Sequence, residues 1–460
     1  MRINRRRFLR GAAGASGAVL LGRTVGVARA GQLPADHGLA SLPPPGESGI
    51  EHIVVVMMEN RSFDHYLGWL PNADGRQEGL TYLDAAGAAH PTHPLAPDFT
   101  GCSHPDSDHS YAGGRVQYDG GAMDGFLRSG ANDEYAIGYY GEQDRPFGSA
   151  LARNFTTLDH SFCSILGPTF PNRIFLHSAQ TDRLSNTLVL STLPTIWDRL
   201  AAADVDALYY FSNLPVLALW GARYVPISRP YLQFLADAAA GTLPAVSFLD
   251  PRFTDLTPDN SGNDDHPPAD IRRGDAFLAQ TFQAVARGPR WSRTVLIVTY
   301  DEWGGFFDHV PPPRAIAPNG VDPDLVNGKA LLGFRVPTIV ASPFSRGEPD
   351  DPKVKGMTFD HTSILKLIEW RFGLEPLSAR DASHDIENIA RVLKFKHPNA
   401  TVPALPMPEP PPPSPCVSAP SAASETRSAV PAPDDASASR NAWARLRDSA
   451  LLAGWDLSEM

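Results

Sequence analysis

Short apolar runs that break abruptly into polar or acidic residues set the pattern of this chain. Residues 52–58 run into Glu59-Asn60, 245–249 into Asp250, 294–300 into Asp301-Glu302, and 336–341 into Ser342-Pro343. Each run has the length and the β-branched or aromatic content of a buried strand. Between them, apolar residues at helical spacing predict helices over 195–203, 231–240, 273–286 and 363–372. Strands alternating with helices predict a mostly parallel sheet covered on both faces. Ligands of such sheets gather beyond the carboxyl ends of the strands, so the polar endings point to one site.

At 460 residues and 42% hydrophobic content the chain can bury one large α/β domain or two closely joined ones. The first thirty residues stand apart. Arg5-Arg6-Arg7-Phe8-Leu9 precedes a small-residue apolar stretch that closes in Ala28-Arg29-Ala30. This is the layout of a cleaved export signal, and consecutive arginines before Phe-Leu resemble the twin-arginine type. The expected location is therefore exported: periplasmic, cell-surface or secreted, by way of the twin-arginine machinery. Losing seven arginines and no acid moves the formal charge from −11 to −18. Such an acidic product lacks the basic footprint of a nucleic-acid binder. No later segment is long and apolar enough to form a transmembrane span.

The expected organisation is a signal peptide at 1–30, a flexible lead-in at 31–48, a catalytic domain at 49–400, a Pro/Ala/Ser-rich disordered or polyproline-like tail at 401–440, and a short helix within 441–460. Long Gly/Pro/Asp/His-rich loops at 71–125 and 251–270 are of the kind that carries function or stays disordered. Three cysteines fit no zinc spacing. They allow a Cys102–Cys163 bridge with Cys416 free, or buried thiols.

A carboxylate beside an amide at Glu59-Asn60 suits a hard divalent cation, although a plain strand end at the surface fits that segment equally well. Asp301-Glu302 would complete an oxygen-rich set if its strand lies near the first. Gly304-Gly305 reads as a tight turn or as room for a ligand, with the turn favoured. Thr169, in Gly-Pro-Thr-Phe-Pro-Asn-Arg before a helical stretch, reads locally as a helix cap or as a hydroxyl facing a phosphate that Arg173 could clamp; the local sequence favours the cap. His104, His109, His266, His309 and His361 all follow acids or lie in acid-rich loops, which tunes basicity and tautomer.

Six segments, 52–64, 120–126, 167–173, 265–270, 301–309 and 360–363, occur in order across about 50–375. They include Met-Met-Glu-Asn-Arg-Ser-Phe-Asp, Gly-Pro-Thr-Phe-Pro-Asn-Arg, Asp-His-Pro-Pro-Ala-Asp and Asp-Glu-Trp-Gly-Gly-Phe-Phe-Asp-His. Together they resemble the bacterial phosphoesterase family of non-specific phospholipases C and related acid phosphatases. The resemblance implies an alkaline-phosphatase-like α/β/α sandwich with a mostly parallel central sheet. It implies a divalent metal cation of open identity on Glu59, Asn60, Asp301 and Glu302. It makes Thr169 the nucleophile, replacing the cap reading, and gives His109 and His266 the phosphate and leaving group, with His309 and His361 as secondary candidates. The substrate is then a phospholipid or a small phosphoester. Haemolytic members carry β-rich domains where this chain has its Pro-rich tail, which weakens the inference to lipid. Acid phosphatase activity and an inactive extracellular binding protein are the alternatives; a sulfatase is disfavoured by Thr at 169.

Overall fold

The central strand β1 (His52–Met58) has all seven residues buried, and its neighbours explain why. Ile53, Val55 and Met57 pack into one apolar core, while Val54, Val56 and Met58 pack into another on the opposite face. Side chains alternate across a strand, so a continuous apolar run belongs to a sheet with helices on both sides. The computed structural model describes residues 42–416 and 442–457. The expected export signal at 1–30, the lead-in up to 41, and the tail from 417 to 440 lie outside the described residues.

The main sheet has eight strands: β1, β2 (Thr156–Leu158), β3 (Ala207–Phe211), β4 (Ser228–Pro230), β5 (Val246–Leu249), β6 (Thr294–Tyr300), β7 (Ile339–Ala341) and β8 (Lys353–Lys355). Their spatial order is β8-β2-β7-β6-β1-β5-β3-β4. Pairing is parallel except for β7, which runs antiparallel to both β6 and β2. The helices are α1 (Phe63–Leu67), α2 (Tyr111–Tyr118), α3 (Pro146–Asn154), α4 (Thr169–Ser178) and α5 (Ile196–Ala202). They continue with α6 (Tyr231–Ala240), α7 (Ile271–Arg287), α8 (Thr362–Phe372), α9 (Ala379–Ala382) and α10 (Ala442–Arg447). Side chains of α3, α6 and α7 share the core of Val54 and Val56. Those of α4, α5, α8 and α10 share the core of Ile53 and Val55. This is a three-layer α/β/α arrangement around a mostly parallel sheet.

The run at 336–341 forms a strand only from Ile339, because Pro337 has no N–H to give a ladder. The tail from 401 to 416, expected to be disordered or polyproline-like, has neither helix nor strand yet returns to the body. Trp291 Nε1 donates to Ala400 O at 3.0 Å, and Arg273 donates to Pro411 O. The tail ends in a Cys102–Cys416 disulfide. This corrects the pairing of Cys102 with Cys163: Cys163 lies in the core, its thiol bonded to Phe334 O at 3.1 Å and out of Cys102's reach. Among the described residues no helix is long and apolar enough to cross a membrane.

Two outcomes follow from this packing. Peptide mapping without reductant will recover residues 102 and 416 as one cross-linked pair, with Cys163 resisting alkylation until the protein is unfolded. His177, on α4, sits among Trp197, Trp220 and Phe248, where burial and then the Arg173 charge push its pKa down to about 3. An unfolded chain protonates this imidazole below about 6.5 and the folded one does not. Stability is therefore whole above about pH 6.5 and falls as pH drops toward 3, by up to about 4 kcal/mol. Thermal melts from pH 7 to 4 will show His177→Phe losing several degrees less than the parent.

Candidate active site at the strand tips

Three neighbouring parallel strands end in acids at one edge of the sheet. Met58 pairs with Tyr300, so Glu59 and Asp301 emerge side by side; Val56 pairs with Leu249, which brings Asp250 out level with Met57 on the other side of β1. Glu59, Asp301 and Glu302 are fully buried, Asn60 is 1% exposed and Asp250 4%. Carboxylates removed from water at strand spacing need a cation among them. Arg173 supplies one. Its Nε meets Asp301 Oδ2 at 3.0 Å, its Nη1 meets Asp250 Oδ1 at 3.0 Å, and its Nη2 lies 3.3 Å from Glu59 Oε1 and 3.2 Å from Met58 O. Every guanidinium nitrogen is thus committed to the strand tips. Arg173, expected at a phosphate, here ties three strand-end acids together.

Arg173 stands one turn along α4 from Thr169, so the two project from the same helix face with Cβ atoms about 5–6 Å apart. Pro168 is the N-cap, with no side-chain cap bond, and Thr169 is the first helical residue. The hydroxyl therefore does not have the capping role that its local sequence suggests. It sits 4% exposed at the positive end of the dipole of a ten-residue helix, where Phe170 N–H is taken by Asn186 Oδ1 at 2.8 Å and Pro171 has no N–H.

Asn60 adopts a left-handed backbone, φ 70°. Its N–H donates to Asp301 Oδ1 at 3.1 Å and its amide nitrogen to Glu302 Oε1 at 2.9 Å. The amide oxygen is buried with no hydrogen-bond partner among the described residues. A buried carbonyl oxygen without a donor, next to two carboxylates, has the chemistry of a hard-cation ligand. The donor set Glu59, Asn60, Asp301 and Glu302 thus fits a divalent cation. Gly304, at φ 69°, presses on the Asn60 carbonyl, and a Cβ would collide with it. The glycine makes room for a ligand residue as well as making a turn. Burial, and then the neighbouring Asp301, push the Glu302 carboxyl up to about 7 against the pull of His109.

His109 and His266 face each other with ring centroids 5.7 Å apart. Each Nδ1–H donates to a backbone carbonyl, Ser107 O at 2.7 Å and Pro267 O at 2.6 Å, which presents Nε2 as the working nitrogen. Burial disfavours charge on His109, but Glu302 and Asp106 outweigh it and hold its pKa at about 9. Asp106, His109 and His266 can each turn a ligand atom to within 4.8 Å of the others. His361 caps the start of α8, its Nε2 bonded to Tyr300 O at 2.9 Å beneath the tips, and burial lowers its pKa. His104 instead pairs with Asp133 at 2.9 Å and stacks on Tyr135. His309 belongs to another cluster: its ring meets Asp64 at 2.5 Å and Asp74 at 3.2 Å, with Arg335 bridging Asp64 and Asp308. Sequence reasoning did not assign Asp106, Asp250 or Trp443. The first two were visible as an acid beside His109 and a strand-end acid. Trp443, whose indole reaches Glu59, carries no local signal.

The tie made by Arg173 has a measurable cost when cut. Arg173→Ala leaves three buried carboxylates without their cation and will lower unfolding free energy by about 3–5 kcal/mol in denaturant titrations. Arg173→Lys, which cannot reach three acids with one ammonium, will recover only part of that loss.

Comparison with known proteins bears on the chemistry. The phosphoesterase family profile matches residues 50–375. Non-specific phospholipase C6 of Arabidopsis thaliana is 34% identical over 375 residues, covering 73% of this chain and 71% of the relative. Phospholipase C A of Mycobacterium tuberculosis (strain ATCC 25618 / H37Rv) is 33% identical over 436 residues, covering 79% and 81%. Among solved structures, a protein in the alkaline phosphatase superfamily from Vibrio parahaemolyticus aligns at 10% identity with a TM-score of 0.36, covering 75% and 72%. The chain belongs to the phosphoesterase family, the group that contains the non-specific phospholipases C, and is a hydrolase of phosphoester bonds.

Proposed function

We propose that this protein is an exported, divalent-metal-dependent phospholipase C that cleaves the phosphodiester of phospholipids through a phosphothreonine at Thr169. The observation that carries the reading is the shared face of Thr169 and Arg173 on α4. The residue that gathers the strand-tip acids also fixes the hydroxyl one turn away. The names of the relatives, phospholipase C in each case, favour a lipid phosphodiester.

A cation held by Glu59, Asn60, Asp301 and Glu302 would supply Lewis acidity, easing deprotonation of the Thr169 hydroxyl and offsetting charge on the phosphate. The dipole of α4 favours the anionic phosphate beside Thr169 Oγ1. That oxygen, its proton passed to solvent, attacks phosphorus in line; the Oγ1–P bond forms as the bond to the glycerol oxygen breaks. His109, held protonated at neutral pH by Glu302 and Asp106, gives its Nε2 proton to the departing diacylglycerol. Water then attacks the phosphothreonine, its proton passing to an imidazole. His266, facing His109 across 5.7 Å, is the partner for that transfer. Phosphate monoester leaves and Thr169 regains its proton.

Thr169→Ala will lower kcat on phosphatidylcholine by about a thousandfold or more, with bound metal and melting temperature unchanged. Diacylglycerol release beside p-nitrophenyl phosphate turnover measures both activities. Full activity in Thr169→Ala would end the phosphothreonine route, and a preference for the monoester would make the enzyme an acid phosphatase.

A further inference from the structure

The C-terminal helix reaches the strand tips. Trp443, on α10, is 2% exposed and its indole Nε1–H donates to Glu59 Oε1 at 3.0 Å, across a sequence separation of 384 residues. The same oxygen lies 3.3 Å from Arg173 Nη2. The indole stacks on Phe253 at 3.8 Å and 15° and meets Phe170, the residue after Thr169, edge-on at 5.2 Å. Leu446, one turn along α10, is fully buried in the core that holds Ile53 and Val55. Further on, Trp455 makes its own attachment, Nε1 to Gly221 O at 3.1 Å.

A buried indole needs an acceptor, and a backbone carbonyl would serve for packing alone, as it does for Trp455. Trp443 uses a carboxylate of the candidate cation site instead. The indole N–H donates to one oxygen of Glu59 and the Arg173 charge lies 3.3 Å from that same oxygen, which together orient the carboxylate and the rotamer beneath it. The ring sits on the side of Glu59 that faces Arg173, Phe170 and Phe253, within the apolar core.

We propose that Trp443 is a positioning residue for the divalent-cation site, and that the C-terminal segment is thereby an integral part of the phosphoesterase centre. The inference rests on Glu59 being a cation ligand. The indole N–H holds the carboxylate in the orientation that a cation requires, so that no reorientation is needed on binding. Partners that orient a ligating side chain typically change metal affinity by about 10–100-fold when removed.

The test uses the full chain, stripped of metal and titrated by calorimetry with Mn²⁺, Ca²⁺ and Zn²⁺ in turn. Trp443→Phe keeps a stacking ring and deletes the N–H. Trp455→Phe deletes an indole bond of the same segment that does not touch Glu59. Glu59→Gln tests the ligand itself. Affinity for the tightest ion is expected to fall about 10–100-fold in Trp443→Phe with its melting temperature held within about 2 °C, and to stay at the parental value in Trp455→Phe. A loss in Glu59→Gln with parental affinity in Trp443→Phe overturns the role of Trp443 alone. Parental affinity in Glu59→Gln, or no ion bound by the parent, overturns the cation reading of Glu59 and this inference with it. A rise in turnover for Trp443→Phe would identify the segment as an inhibitory plug and equally overturn it.

Discussion

One guanidinium holds the functional edge of this protein together. Three adjacent parallel strands, about 4.8 Å apart, each finish in a buried acid, an arrangement that repels itself unless a cation sits in the middle. Arg173 sits there, and the cluster in turn raises its affinity for its own proton. Because Arg173 belongs to α4, its ion pairs also set where that helix begins. Thr169 inherits its position from them. Electrostatic neutralisation of the strand tips and placement of the hydroxyl are one constraint, and neither can be changed without disturbing the other.

Much of this was legible in the sequence where the signal is local. The strands at 52–58 and 294–300 and the helix at 231–240 match their observed bounds, because long apolar runs and clean helical spacing leave one solution. Glu59, Asn60, Asp301 and Glu302 come together because strand ends in a parallel sheet share an edge, a rule that needs no knowledge of loops. What the sequence did not show is tertiary. Arg173 looked like a phosphate clamp because its acidic partners are 77 to 128 residues away or arrive from β1. His309 follows the Asp301-Glu302 motif closely, while Asp64, 245 residues upstream, meets its ring. The cysteine pairing and the reach of Trp443 depend on where a Pro-rich segment returns, which composition does not encode.

The two halves of the site are built to different tolerances. Glu59, Asn60, Asp301 and Glu302 directly follow β1 and β6, whose paired backbones allow little movement. The histidines stand on the long loops at 71–125 and 251–270, where precision has to be added. Several bonds add it. Glu59 N–H donates to Asp264 O at 2.8 Å, tying the His266 loop directly to the ligand strand. Trp303 Nε1 donates to Gln117 Oε1 at 2.6 Å, and Gly305 lies so close to Ser107 and Asp108 that a side chain would not fit. The Cys102–Cys416 bridge fastens the same loop from outside. Long loops tolerate change and move more readily than the strands they join. Pinning these at the bases next to His109 and His266, while their outer parts remain loop, keeps both imidazoles in register with the strand tips. That division accounts for why the glycines of the 301–309 motif matter as much as its acids. Gly304 makes room for Asn60, Gly305 for the His109 loop, and together they join the rigid half to the adjustable one.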